Sequence, residues 1–162
     1  MTSPSLEADW KPLVSTIAAM VTLAPEHVVV QVHSDDGPNG GPYVQTLCEE
    51  DGAMTLEAAS NVFLDQKLSH EAIELLQSMG WSDPEPDIGL PNHHCMVSAD
   101  SAAPGDIAEF LVRTLRDVYG VTTSAVFEMA PYDLFVSVLN GEYGVETGMQ
   151  FYQDDSDPRD AD

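Results

Sequence analysis

Positive charge is what this chain has least of. Five Lys and Arg stand against 28 Asp and Glu, a formal net charge of −23 with neutral His. Such a surface is repelled by nucleic-acid phosphate and by anionic lipid, which argues against ordinary binding to either. It suits solubility, a basic protein partner, or mimicry of nucleic acid. Cysteine is scarce too. Cys48 and Cys95 are too few for a disulfide framework. No apolar run approaches the roughly 18–20 residues that span a bilayer. The N-terminal stretch has one base, Lys11, and no long apolar run, so no signal peptide is expected. The expected location is the cytoplasm, with both thiols reduced. There are no internal repeats and no Cys-x-x-Cys or His-x-x-x-His spacing.

What is present is a good core. Hydrophobic residues make up 43% of 162 positions, enough for one domain. Residues 54 to 81 are the best-specified stretch and read as strand, link and helix. Ser69 is placed to cap the helix. Leu68 and Ile73 occupy the two positions of a hydrophobic staple. Ala72, Leu75, Leu76 and Met79 follow i, i+3, i+4, i+7 and make one apolar face. Gly80 supplies a left-handed stop, and Trp81 can fold back on the last turn.

The rest of the chain falls in order around it. Residues 1 to 8 should be loose. Asp9 is placed to cap a first helix, with Pro12 in its first turn and Trp10, Leu13, Ile17, Met20 and Val21 along one stripe. His27 to His33, Tyr43 to Cys48 and Met54 to Ser60 read as three strands with short turns between them, an antiparallel meander. The Gly37 to Gly41 segment reads as a flexible hairpin loop. It lacks the Lys-Ser/Thr ending of a phosphate-binding loop and opens no helix. His93 to Ser98 reads as a fourth strand. Pro104 starts a third helix, with Asp106 against its N-terminal dipole and Ile107, Phe110, Leu111, Thr114, Leu115 and Val118 on its apolar face. Ser124 to Met129 and Tyr132 to Leu139 are too short for periodicity to separate strand from helix. From Gly141 the chain carries seven acids and one base. Residues 141 to 162 are read as an acidic tail, disordered at least from Asp154 to Asp162. The expected division is 1–8, 9–140 and 141–162.

Little of this is reactive chemistry. Asn92-His93-His94-Cys95 is the densest cluster. Adjacent strand residues face opposite ways, so His93 and Cys95 share a face and His94 does not. Zinc needs about four ligands, and His27, His33, His70 and Cys48 are only distant candidates. A Cys–His nucleophile would need a lowered thiol pKa, which surrounding carboxylates oppose. Glu57, Ser60 and Asn61 are polar amid apolar neighbours and are read as bracing the strand-to-helix link. No catalytic, cofactor or metal residue is assigned, and no cofactor is expected.

Certain residues resemble a known family. Leu56-Glu57-Ala58-Ala59-Ser60-Asn61-Val62-Phe63-Leu64, Leu68-Ser69, Leu75 with Met79-Gly80-Trp81 and Pro84, Asn92, and Thr114-Leu115-Arg116-Asp117-Val118-Tyr119-Gly120-Val121 are similar to the actinobacterial branch of the YbjN-type, type III secretion chaperone-like proteins. The resemblance spans roughly residues 10 to 125. It implies an α+β secretion-chaperone-like fold, an antiparallel sheet with helices packed on one face in the order α-β-β-β-α-β-α plus a C-terminal extension. It also implies a non-enzymatic protein-binding module, chaperone-like or adaptor, often a homodimer, and offers no catalytic residues. The alternative is an acidic inhibitor or nucleic-acid mimic on a basic protein site.

Overall fold

Packing begins before the first helix. Ala8–Trp10 wind a 3-10 turn, in which the Trp10 N–H donates to the Glu7 carbonyl at 3.0 Å. Helix α1 (Lys11–Leu23) follows directly, with Pro12 in the first turn, where a missing N–H costs nothing. Asp9 does not cap this helix as expected. The residue before it is Trp10, and no side chain caps it. The tight entry places Trp10 in the core at 4% exposure, and Leu13, Ile17 and Met20 follow it down one buried stripe. The computed structural model describes residues 6–34, 41–98, 100, 103–145 and 151. The expected loop at Gly37 to Gly41 lies almost wholly outside the described residues, and the tail from Asp154 to Asp162 lies entirely outside them.

The strands are β1 (His27–Val32), β2 (Tyr43–Cys48), β3 (Met54–Ala58), β4 (His93–Val97) and β5 (Phe127–Ala130). They form one antiparallel sheet in the order β4-β3-β2-β1-β5. The turn from β2 to β3 is held by Asp51, whose carboxylate accepts from the Ala53 N–H at 3.0 Å. Gly52 takes the positive φ of 86° that this turn requires.

Register sorts the sheet into two faces. Val30 lies opposite Val44 and Met129, Thr46 opposite Leu56, and Leu56 opposite Cys95. These residues share one face with Val28, Ala58, His93 and Phe127, and most are fully buried. The period of two along each strand follows from the pleat. Helix α1 and helix α3 (Pro104–Asp117) pack against each other over this face. Together with helix α4 (Tyr132–Leu139) they close the main core, to which Leu111, Leu115, Phe135 and Val138 contribute at zero exposure.

Helix α2 (His70–Met79) has the ends read from its sequence. Ser69 Oγ accepts from the Ala72 N–H at 3.1 Å. Gly80 stands at φ 107°, and the Trp81 N–H reaches back to the Leu76 carbonyl at 3.0 Å. Leu68, Ala72, Leu75 and Met79 pack against the core. The two undecided segments resolve as β5 and α4. Both depend on remote partners: β5 pairs with β1, almost a hundred positions away in the chain, and α4 buries Phe135 and Val138. Packed residues also extend on either side of the 9–140 span. Leu6 and Val145 pack against the core, and Phe151 forms a bridge to Phe127 and an edge-on contact with Phe135 at 5.5 Å.

Candidate functional site

The face of the sheet opposite α1 and α3 carries a chain of polar side chains. His27 Nε2 donates to Gln45 Oε1 at 2.8 Å, and Gln45 Nε2 donates to Glu57 Oε2 at 3.2 Å. Asn92 Nδ2 donates to Glu57 Oε1 at 3.3 Å and lies 3.0 Å from the Tyr43 hydroxyl. Register explains the line-up: Gln45 is opposite Glu57, and Glu57 is opposite His94. Burial is the largest cause that raises the Tyr43 pKa, with the Glu57 charge adding to it.

Asn92 is the knot of this network. Its Oδ1 accepts from the Ser60 backbone N–H at 3.2 Å, and the residue is 3% exposed. Asn61 Oδ1 accepts from the Leu68 N–H at 2.7 Å, and Lys67 Nζ donates to the Asn61 and Leu64 carbonyls. Tyr119 donates its hydroxyl to the Ala59 carbonyl at 2.6 Å. Ser60 and Asn61 therefore brace the link from β3 to α2, as their sequence context suggests. Glu57 belongs instead to the open face. Its partner Asn92 lies 35 positions away, a pairing no local pattern announces. Asn92→Ala leaves the buried Ser60 N–H and the Glu57 carboxylate short of partners. It is expected to cost about 2–3 kcal/mol, read by urea denaturation, whereas Tyr43→Phe should cost about 1 kcal/mol.

The His93–Cys95 triplet follows strand alternation. His93 and Cys95 lie on the core side, opposite Ala58 and Leu56, and His94 lies on the open face. His94 Nε2 is 3.8 Å from Glu85 Oε1. His93 is 3% exposed, and burial holds its pKa below the ordinary range. Burial pushes the Cys95 thiol up to about 11, which works against the thiolate that a nucleophile needs. The distant candidates have other surroundings: His70 pairs with Glu74 at 3.0 Å, and Cys48 is exposed at the end of β2. No group of three or more His, Cys, Asp and Glu among the described residues is arranged to hold a metal ion. Iodoacetamide should alkylate Cys48 first, with Cys95 at least about tenfold slower in the folded protein. Peptide mass mapping over a time course checks this, and equal rates would mean that Cys95 is open to solvent.

The feature that sequence reasoning missed is an edge. β4 pairs with β3 on one side only. On the other side Ser82 covers His94, through Ser82 N–H to His94 carbonyl at 2.7 Å and His94 N–H to Ser82 carbonyl at 3.2 Å. Two residues further along, alternation turns the Met96 N–H and C=O the same way. Neither has a backbone partner outside the sheet among the described residues. The Met96 side chain is 67% exposed. Beside it lies a hollow of about 320 Å³ walled by Leu56, Met79, Cys95, Val97, Ile107 and Phe110. A larger hollow of about 620 Å³, with Val32, Pro42, Leu64, Leu68 and Val121 in its walls, opens where the end of α3 faces the link before α2. No described helix is long and apolar enough to cross a membrane.

An unpaired strand edge beside an apolar hollow is a place for an extended chain to dock. The family model described as T3SS (YopN, CesT) and YbjN peptide-binding chaperone 3, TY-Chap3, matches residues 3–131. The chain belongs to this family. No curated protein and no solved structure matches it. The TY-Chap3 match runs through all five strands and ends before α4. It includes both hollows, the polar network and the β4 edge.

Proposed function

We propose that this TY-Chap3 protein is a non-enzymatic module that binds a segment of another protein, as chaperone or adaptor, by adding it to the free edge of β4. The observation that carries the reading is the Met96 backbone, whose N–H and C=O face outward next to an apolar hollow. An extended client segment pairs with these groups, and alternate side chains enter the hollow, so backbone bonds give affinity and the hollow gives preference. Binding of this kind requires neither nucleotide hydrolysis nor a metal. The charge of −23 favours a client segment with basic residues. The motif residues favour the actinobacterial branch, and the same resemblance favours a secretion client. Two free cysteines suit a reducing cytoplasm. The edge also offers a route to a homodimer, which sedimentation equilibrium would separate from a monomer. In this reading residues 9–140 are the binding domain and 141–162 an acidic extension of it.

The net charge alone also supports a second reading, an acidic mimic on a basic protein site. Affinity purification from the host with stepwise salt separates the two. Stoichiometric retention of one protein through moderate salt supports edge binding. Release of nucleic-acid enzymes as salt rises supports the mimic, since exposed charge pairs are screened within about 10 Å at 0.1 M salt.

A further inference from the structure

The sheet has its other edge at β5. The His33 N–H donates to the Val126 carbonyl at 2.8 Å, so Val126 and Glu128 turn their backbone groups toward β1. Alternation turns those of Phe127 and Met129 the other way. This edge has an occupant. Phe151 forms a parallel bridge with Phe127. Its ring meets the fully buried Phe135 edge-on, at 5.5 Å between centroids and 73° between planes. Phe151 is itself only half-buried. It also lies outside the stretch that matches the family model, which ends at residue 131.

We propose that the β5 edge is a docking groove for an extended, acid-free segment with an aromatic residue, and that the chain's own Phe151 holds it closed as a tethered stand-in. The chain itself displays the mode of binding. Pairing beside an outward strand edge and one aromatic anchor on the core side are the two parts of recognition by strand addition. The stand-in is poorly matched in charge. From Gly141 the chain carries seven acids and one base, and the whole chain stands at −23. Like charge opposes the contact, whereas a segment with the same ring and no acids meets less repulsion. The hold is also slight. Among the described residues it is one bridge and one ring, against four paired positions between β5 and β1. Membership of the same chain makes up the difference, because a tethered segment competes at an effective concentration of about millimolar. The stand-in has a use of its own, since an open strand edge invites unwanted pairing. β5 and β4 lie at opposite ends of the sheet, so this inference is independent of the β4 reading.

The test compares the full chain with its Phe151→Ala variant. Two quantities are read: amide exchange at Phe127, and binding of a fluorescent peptide of residues 147–153 with blocked ends. This peptide keeps the ring and carries no charge. A control peptide has alanine in place of its phenylalanine. Exchange at Phe127 should be at least about tenfold faster in the variant, the worth of one lost hydrogen bond. Exchange at Met96, and at Leu111 in the core, should not change. The variant should bind the peptide saturably and should not bind the control. The unsubstituted chain should bind the peptide at least about tenfold more weakly, because its own segment competes. Phe151→Tyr keeps the ring and should behave as the unsubstituted chain. Equal exchange at Phe127 in the two proteins would overturn the proposal. Faster exchange that extends to Leu111 would do the same, since Phe151 would then be ordinary core packing. No peptide binding by the variant, or equal binding by both proteins, also overturns it. So does an opened edge that takes up a second copy rather than the peptide, read by sedimentation. Client protection of Met96 is measured separately, so either edge can fail without the other.

Discussion

Trp81→Ala is expected to cost about 3–5 kcal/mol of folding stability, among the largest effects of a single substitution in this chain. The indole is 2% exposed. It stacks on Phe110 at a centroid distance of 5.2 Å, with 18° between the rings. Its Nε1 donates to Thr114 Oγ1 at 3.1 Å, while the Thr114 hydroxyl donates to the Phe110 carbonyl at 2.9 Å. Removing the ring opens a cavity between the end of α2 and α3 and leaves the hollow beside β4 without its neighbour Phe110 in place. Trp81→Phe keeps most of the volume and loses the hydrogen bond, so it should cost nearer 1 kcal/mol. Urea denaturation reads both, provided that the slope with denaturant is unchanged. A loss under about 1 kcal/mol for Trp81→Ala would mean that α2 is anchored elsewhere.

The second large effect concerns binding. Met96→Pro should weaken client binding about tenfold or more, because it removes the outward N–H that β4 presents beside the apolar hollow. The ladder to β3 uses the other side of the strand, so proline at this edge position is tolerated by the sheet. Met96→Thr keeps the N–H and should retain binding. Fluorescence anisotropy with a labelled client peptide compares the three proteins. Equal affinities would show that the client does not pair with β4.

Why some of this was legible in the sequence and some was not comes down to range. The ends of α2 were readable because Ser69 and Gly80 act on groups within one helical turn. The opposite facing of His93 and His94 was readable from the pleat alone. The placing of Asp9 failed because the burial of Trp10, a tertiary demand, draws the entry into a 3-10 turn. β5 could not be told from helix because what makes it a strand is pairing with Val29 to Val32. The edge at Met96 was hidden for the same reason. A strand is an edge only by its place in the order β4-β3-β2-β1-β5, and that order is fixed by packing rather than by local pattern. Asn92 stood out as part of the Asn92–Cys95 cluster and through the family resemblance, while its role depends on Ser60, Glu57 and Tyr43 arriving from elsewhere in the chain.

Amide hydrogen exchange at Met96, with and without the client segment recovered from the host, tests the central claim most directly. The account predicts an exposed, fast-exchanging amide in the free protein and a slow one in the complex, with protection centred on β4. Protection confined to the hollow near Val32 and Val121, or to the open face around Gln45, with Met96 unchanged, would contradict it.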